Sequence, residues 1–183
     1  MQVDESSLLR LLADEKTQRK AFEQVVRQYS EMLYRQIRRM VYSHEDANDL
    51  LQNTFIKAWQ NLSSFEGRSK LSSWLYRIAM NETLDFLRRK HEMSSLSDDE
   101  GVGASVASRL MADEYFDGDE TAAQLQQAIS ELPDVQRRVF QMKYYDNMKY
   151  SEISELLGTS EGALKASYHI AVKKISNFFN SHD

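Results

Sequence analysis

Apolar residues return every three or four positions through most of this 183-residue chain, and short polar stretches break the runs. That period marks helices that bury one face. Leu8, Leu9, Leu11 and Leu12 predict a short apolar helix, read as a packing lid. Over 17–41, Ala21, Phe22, Val25, Val26, Tyr29, Met32, Leu33, Ile37, Met40 and Val41 predict one long helix, with Arg35, Arg38 and Arg39 on its other side. Ser43-His44-Glu45-Asp46 places a hydroxyl three residues before an acid, a capping-type start. The helix behind it runs to about Leu62, with Leu50, Leu51, Thr54, Phe55, Ala58 and Trp59 as its apolar face. After a loop over 63–69 that contains Gly67, a fourth helix spans roughly Ser72 to Lys90, with Trp74, Leu75, Ile78, Ala79, Leu84 and Leu87 buried. Residues 92–120 lack the period and are rich in Ser, Asp, Glu and Gly, the composition of a flexible linker. Helices resume near 121–131, 134–145, 151–157 and 161–180, and Pro133 suits the first turn of the second of these.

The pattern predicts an all-α fold: two small helical domains, 1–91 and 121–183, joined by the 92–120 linker. Composition agrees, with 42% apolar residues, 6 Gly and 1 Pro. Cysteine is absent, which excludes a disulfide framework and a thiolate metal site. His44, His91, His169 and His182 are scattered without ligand spacing, so no metal or cofactor is expected. No apolar run approaches the ~20 residues of a membrane span, and no secretory signal precedes Leu8. The expected compartment is the cytoplasm.

One segment points to nucleic acid. Tyr150-Ser151-Glu152-Ile153-Ser154-Glu155-Leu156-Leu157 is a short amphipathic helix that stops at Gly158. A longer helix starts behind Ser160. This is the helix-turn-helix pattern, whose second helix enters the major groove. Leu164, Tyr168, Ala171, Ile175 and Phe178 share one stripe, expected to pack on Ile153 and Leu156. Lys165, Ala166, Ser167, His169, Ile170 and Lys173 then face outward, and the first turn, Ser160-Glu161-Gly162, offers free backbone N–H groups to a phosphate. The plainer reading is a helical hairpin inside a core.

Charge complicates that assignment. The net charge is −5, whereas DNA binders usually carry a basic surface. Residues 1–92 hold 15 basic and 13 acidic side chains, residues 93–121 hold 1 and 8, and residues 122–183 hold 7 and 7. The acidity therefore sits in the middle, and neither flank should grip DNA strongly alone, because phosphate neutralisation supplies most non-specific affinity.

Two further clusters stand out. Phe65 to Asn81 is a Gly-containing basic loop leading into a helix of alternating aromatic, basic and amide residues. Aromatic faces can stack on unpaired bases, while Arg and Asn bond their edges. On spacing alone, however, Trp74 and Tyr76 read as core and Arg77 as solvated. Asp46, Asp49, Gln52 and Asn53 form a polar cluster at a helix start. The two carboxylates share a face, which suits a metal or acid–base role, a helix-start charge preference or a protein-docking surface. No nucleophile–base pair and no Gly-rich phosphate loop accompanies them, so an enzyme is not expected.

The order of these parts resembles a bacterial sigma factor of the extracytoplasmic-function group, over nearly the whole chain. Asp46 to Trp59 is similar to the helix that docks on the clamp coiled coil of RNA polymerase. Ser73 to Asn81, with Leu84 to Arg89, is similar to the segment that melts the promoter and reads its −10 element. Leu132 through Ile175 is similar to the −35-reading domain. The resemblance implies polymerase contacts at Asp46, Asp49, Leu50, Gln52, Asn53 and Phe55. It implies −10 contacts at Phe65, Gly67, Arg68, Ser69, Lys70, Trp74, Tyr76, Arg77, Asn81, Arg88 and Arg89. It implies −35 contacts at Ser160, Glu161, Gly162, Lys165, Ala166, Ser167, His169, Ile170 and Lys173. The implied partners are core RNA polymerase at its clamp and flap, promoter DNA (duplex at −35, single non-template strand at −10) and an anti-sigma factor. A linker threaded through the polymerase cleft is implied as well. Membership would explain the charge, since weak modules held on one polymerase act through effective concentration. One departure is plain: the family's recognition helix usually carries arginines at the positions of Ser167, Ile170 and Val172. The competing reading is a stand-alone helix-turn-helix regulator with an N-terminal sensory or dimerisation domain. A weaker one is a metal-dependent hydrolase using Asp46 and Asp49.

Overall fold

In a computed structural model, residues 4–94, 105–114, 116 and 118–181 are described, and among them the secondary structure is helical throughout. The chain divides into two units, Met1–Met93 and Ser94–Asp183.

The first unit holds α1 (Glu5–Ala13), α2 (Gln18–Val41), α3 (His44–Gln60), a single 3-10 turn (Leu62–Ser64) and α4 (Leu71–Ser94). Asp4 caps α1 by accepting from the Ser7 N–H at 3.2 Å, and Leu8 and Leu12 seat the helix on α2. Along α2 the core stripe is Ala21, Val25, Tyr29, Leu33 and Ile37, every fourth residue. The helix ends at Tyr42, which adopts a left-handed conformation (φ 57°) and returns its N–H to the Arg38 carbonyl. Ser43 then caps α3, its hydroxyl accepting from the Asp46 N–H at 3.2 Å. Two buried threonines carry hydroxyls into this core without cost in unmade bonds. Thr54 Oγ donates to the Leu50 carbonyl at 2.7 Å and Thr83 Oγ to the Ala79 carbonyl at 2.8 Å. Ion pairs Asp46–Lys90 and Lys57–Glu82 link α3 to α4, with residue numbers rising on one helix as they fall on the other, so the two run antiparallel.

In α4 the core register is Leu71, Leu75, Tyr76, Ala79, Met80 and Thr83. This corrects the expected face in detail. Tyr76 is inside, as its spacing suggests, and Trp74, Ile78, Leu84 and Leu87 are only half-buried. In α3, Trp59 was expected in the core and is 42% exposed.

The second unit holds α5 (Val106–Met111), α6 (Glu120–Ser130), α7 (Asp134–Tyr144), α8 (Tyr150–Leu157) and α9 (Glu161–Asn180). Helix α5 lies inside the segment read as linker. Ser105 caps it, accepting from the Ser108 N–H at 3.1 Å. Val106, Ala107 and Leu110 are buried, and the Ala107 N–H donates to Gln127 Oε1 on α6 at 3.2 Å. Two hydrophobic positions and an alanine suffice to attach one helical turn and a half to a neighbour, although they are too few to set a visible period. Asp119 and Ser160 cap α6 and α9 in turn. The core gathers Ala128, Ile129 and Leu132 with Phe140 of α7 and Ala171 and Ile175 of α9, and Tyr145, Tyr168, Phe178 and Phe179 pack around it.

Candidate nucleic-acid interface

The turn between α8 and α9 is three residues long, Gly158-Thr159-Ser160. Gly158 sits in the left-handed region (φ 63°), which costs a side-chain-bearing residue a Cβ clash, and its N–H closes α8 on the Ser154 carbonyl at 2.9 Å. At the other end of α8, the Glu152 carboxylate accepts from the Lys149 N–H at 2.8 Å. Ile153 and Leu164 are fully buried between the two helices, and Leu156 is half-buried. Opposite the buried stripe, Glu161, Gly162, Lys165, Ala166, His169, Ile170 and Lys173 are exposed. Ser167 is half-buried toward the core side, so it contributes less surface than expected. Ser160 spends its hydroxyl on the Ala163 N–H at 3.4 Å.

An unforeseen arrangement braces this face. Lys143 and Lys165 place their ammonium groups 5.1 and 5.6 Å from the Tyr150 ring, and Lys143 also donates to the Met148 carbonyl at 3.0 Å. Burial, then the neighbouring Tyr168, raises the pKa of the Tyr150 hydroxyl, which stays neutral near pH 7. The basic spacing alone could not reveal it, because the three residues come from α7, α8 and α9.

In the first unit, Arg77, Asn81 and Arg88 line one exposed stripe of α4, with Lys70 and Ser73 continuing it toward the N-terminus. Arg88 pairs with Asp85 at 2.7 Å, and Arg89 is exposed beside it. The loop before α4 leads directly onto this stripe. Gly67 takes φ 69°, with no atom within 4 Å of where a Cβ would stand, so the backbone conformation is what calls for glycine. Arg68 pairs with Glu66 at 2.6 Å, both largely in solvent, and Ser69 and Lys70 are exposed. Phe65 packs against Trp74 with ring centroids 5.0 Å apart, and both rings are half-buried. Tyr76 is the exception among the expected DNA contacts. At 7% exposure its ring belongs to the core and is not offered to a strand.

The polar cluster on α3 divides in the same way. Asp49, Gln52 and Asn53 are exposed. Asp46 is half-buried and already paired with Lys90 at 3.0 Å, which leaves it poorly placed to hold a metal with Asp49. Leu50 and Phe55, expected as contacts, are core residues, with Phe55 only 8% exposed and edge-on to Phe22 at 6.4 Å. The edge of Phe55 nevertheless lines, with Leu51, Ile56, Trp59, Phe22 and Val26, an open apolar groove that Gln52 also borders. Trp59 meets Phe22 at 5.0 Å there.

A bundle with an exposed basic loop and stripe, followed by a helix-turn-helix unit, defines a two-part DNA-reading protein. The Sigma-70 region 2 family matches residues 25–92, and the Sigma-70, region 4 family matches residues 122–175. The chain is 35% identical over 156 residues to the ECF RNA polymerase sigma factor SigW of Bacillus subtilis (strain 168), covering 81% of this chain and 83% of that protein. It is 30% identical over 155 residues to the RNA polymerase sigma factor YlaC of the same organism, covering 84% and 88%. Its fold is similar to the sigma factor RpoE solved in complex with the anti-sigma factor NepR from Bartonella quintana, with a TM-score of 0.69, 23% identity and coverage of 88% and 98%. The chain belongs to the ECF RNA polymerase sigma factors. It is therefore a promoter-specificity subunit, which binds core RNA polymerase, reads the −10 and −35 elements and helps melt the promoter. Among the described residues no helix is long and apolar enough to cross a membrane.

Proposed function

We propose that the first unit docks on core polymerase through the exposed α3 face of Asp49, Gln52 and Asn53, flanked by the groove that Leu51, Ile56 and Trp59 line. The Phe65–Lys70 loop and the Arg77, Asn81, Arg88 and Arg89 surface of α4 take the single non-template strand at −10. The α9 surface of Gly162, Lys165, Ala166, His169, Ile170 and Lys173 lies in the −35 major groove. The protein catalyses nothing itself and works in the cytoplasm. An anti-sigma factor is a further partner, as one is for the solved RpoE. On this reading the −35 unit begins at α5, and the connection between the units is shorter than 92–120.

The observation that carries this reading is the exposure of a basic and amide stripe on α4 immediately behind a basic, glycine-hinged loop. Flipping a base out of a duplex costs a few kcal/mol, which contacts to the displaced base must offset. A helix with a short basic loop at its start can supply such contacts. The stand-alone regulator is not favoured, because both sigma regions match in order along the chain.

Co-elution of the purified protein with bacterial core RNA polymerase on a sizing column tests the docking assignment, with Asp49→Ala as the control. Co-elution that Asp49→Ala abolishes is expected. Tight duplex binding by the protein alone, without co-elution, would overturn it.

A further inference from the structure

Lys70 stands immediately before α4, and its ammonium group can donate hydrogen bonds but accept none. The first N–H groups of a helix have no partner within it. The Lys70 side chain therefore cannot cap the first turn, and the buried N–H groups there need another acceptor. Here the Leu71 N–H donates to Glu5 Oε1 at 2.8 Å, across 66 positions of sequence. Leu71 is fully buried and the bond is partly so. A carboxylate at this end of a helix also meets the positive pole of the helix dipole.

Glu5 is itself held. It opens α1, which is capped by Asp4 and anchored by buried Leu8 and Leu12. Its charge reaches Tyr29 of α2, whose hydroxyl pKa is raised by burial first and by Glu5 second. The basic loop is thus fastened at both ends. Phe65 packs on Trp74 at one end, Glu5 grips Leu71 at the other, and Gly67 supplies the turn between them.

We propose that Glu5 is a positioning residue for promoter melting. By fixing the Leu71 N–H, it sets where the Phe65–Lys70 loop and the first turn of α4 meet the unpaired −10 strand. Helix α1, which reads from sequence as a packing lid, becomes part of the DNA-reading geometry. This inference rests on the assignment of the loop as the single-strand reader.

The test uses the full chain assembled with core polymerase. A promoter is first selected from a random-sequence library with the wild-type holoenzyme. Two probes from it are compared: the single-stranded non-template −10 oligonucleotide and the −35 duplex. Glu5→Ala is expected to weaken single-strand binding ~10-fold, the scale of one charge-assisted hydrogen bond. It should leave core co-elution and −35 duplex binding within about twofold. Glu5→Gln keeps an amide oxygen that accepts, and should stay within about threefold of wild type. Single-strand binding unchanged in Glu5→Ala would overturn the proposal. So would loss of all three activities together, or Glu5→Gln as damaging as Glu5→Ala. A combined Arg68→Ala, Lys70→Ala variant separates the two levels. If it is impaired while Glu5→Ala is not, only the positioning role fails. If it too binds like wild type, the loop is not the single-strand reader and both fail.

Discussion

Lys90 Nζ donates to Asp46 Oδ2 at 3.0 Å, tying the first turn of α3 to the last turns of α4. The pair joins the helix proposed to dock on polymerase to the helix proposed to take the −10 strand. Lys90 is largely exposed and also lies 5.4 Å from the Phe86 ring. A pair this wet contributes at most ~1 kcal/mol, because water screens it and holding long side chains costs entropy. A double-mutant cycle of Asp46→Ala and Lys90→Ala, read by urea unfolding, should give a coupling energy below about 1 kcal/mol. Asp46→Ala should also weaken core polymerase binding less than Asp49→Ala, since Asp46 already has a partner and Asp49 faces solvent. Titration of labelled core polymerase with each variant gives the ranking, and the reverse order would relocate the docking face.

Phe55 and Asp49 separate folding from docking. Phe55→Ala removes a ring from the core and should destabilise the first unit by ~3 kcal/mol. Asp49→Ala touches no packed surface and should change stability by less than about 0.5 kcal/mol while losing polymerase binding. Chemical denaturation of each, beside co-elution, checks the split. Equal loss of stability in both would place Asp49 in the scaffold.

Much of this fold was legible in the sequence because its helices bury a periodic apolar stripe, and some of them start behind a capping residue. The starts at Ser43 and Ser160 and the stop at Gly158 are local chemistry, and each lies where the residues indicate. Features set by tertiary neighbours were not legible. Trp74, read as buried, is only half-buried, whereas Tyr76 is core as its spacing suggests. Trp59 stays 42% exposed at the edge of an open groove, where it meets the Phe22 ring. Helix α5 was hidden by acidic and serine-rich surroundings that mimic a linker. The Glu5–Leu71 bond joins residues too far apart for any spacing rule to connect.

Gly158 ends α8 and Gly162 lies near the start of α9, and the two should respond oppositely. Gly158→Ala forces a Cβ into the left-handed region and should cost ~1 kcal/mol, while Gly158→Asn should cost less. Gly162 lies in the first turn of α9 with negative φ, and no atom lies within 4 Å of its missing Cβ. Gly162→Ala should therefore stabilise α9 by roughly 0.5 kcal/mol. Thermal unfolding of each variant measures the sign. If α9 lies against the −35 bases, the same Gly162→Ala should weaken duplex binding despite its greater stability, which fluorescence anisotropy on the −35 duplex would detect.

The missing arginines of α9 define a salt experiment. Ile170 is 43% exposed and Val172 is nearly as open, so each offers room for an arginine without repacking. Ser167 is half-buried and offers less. Each phosphate neutralised on duplex DNA releases condensed counterions and steepens the fall of log affinity with log salt by ~0.9. Ile170→Arg and Val172→Arg should therefore each raise the magnitude of that slope by about 0.9 if the new side chain reaches a phosphate. Affinity should rise most at low salt. The readout is holoenzyme binding to the −35 duplex across a potassium chloride series. A steeper slope in Ile170→Arg alone would put that flank of α9 against the backbone and turn Val172 away from it. An unchanged slope in both, with Lys165→Ala still weakening binding, would mean that positions 170 and 172 face base edges or solvent. In that case the apolar side chains alter which −35 sequence is read, and the strength of the phosphate grip is set elsewhere.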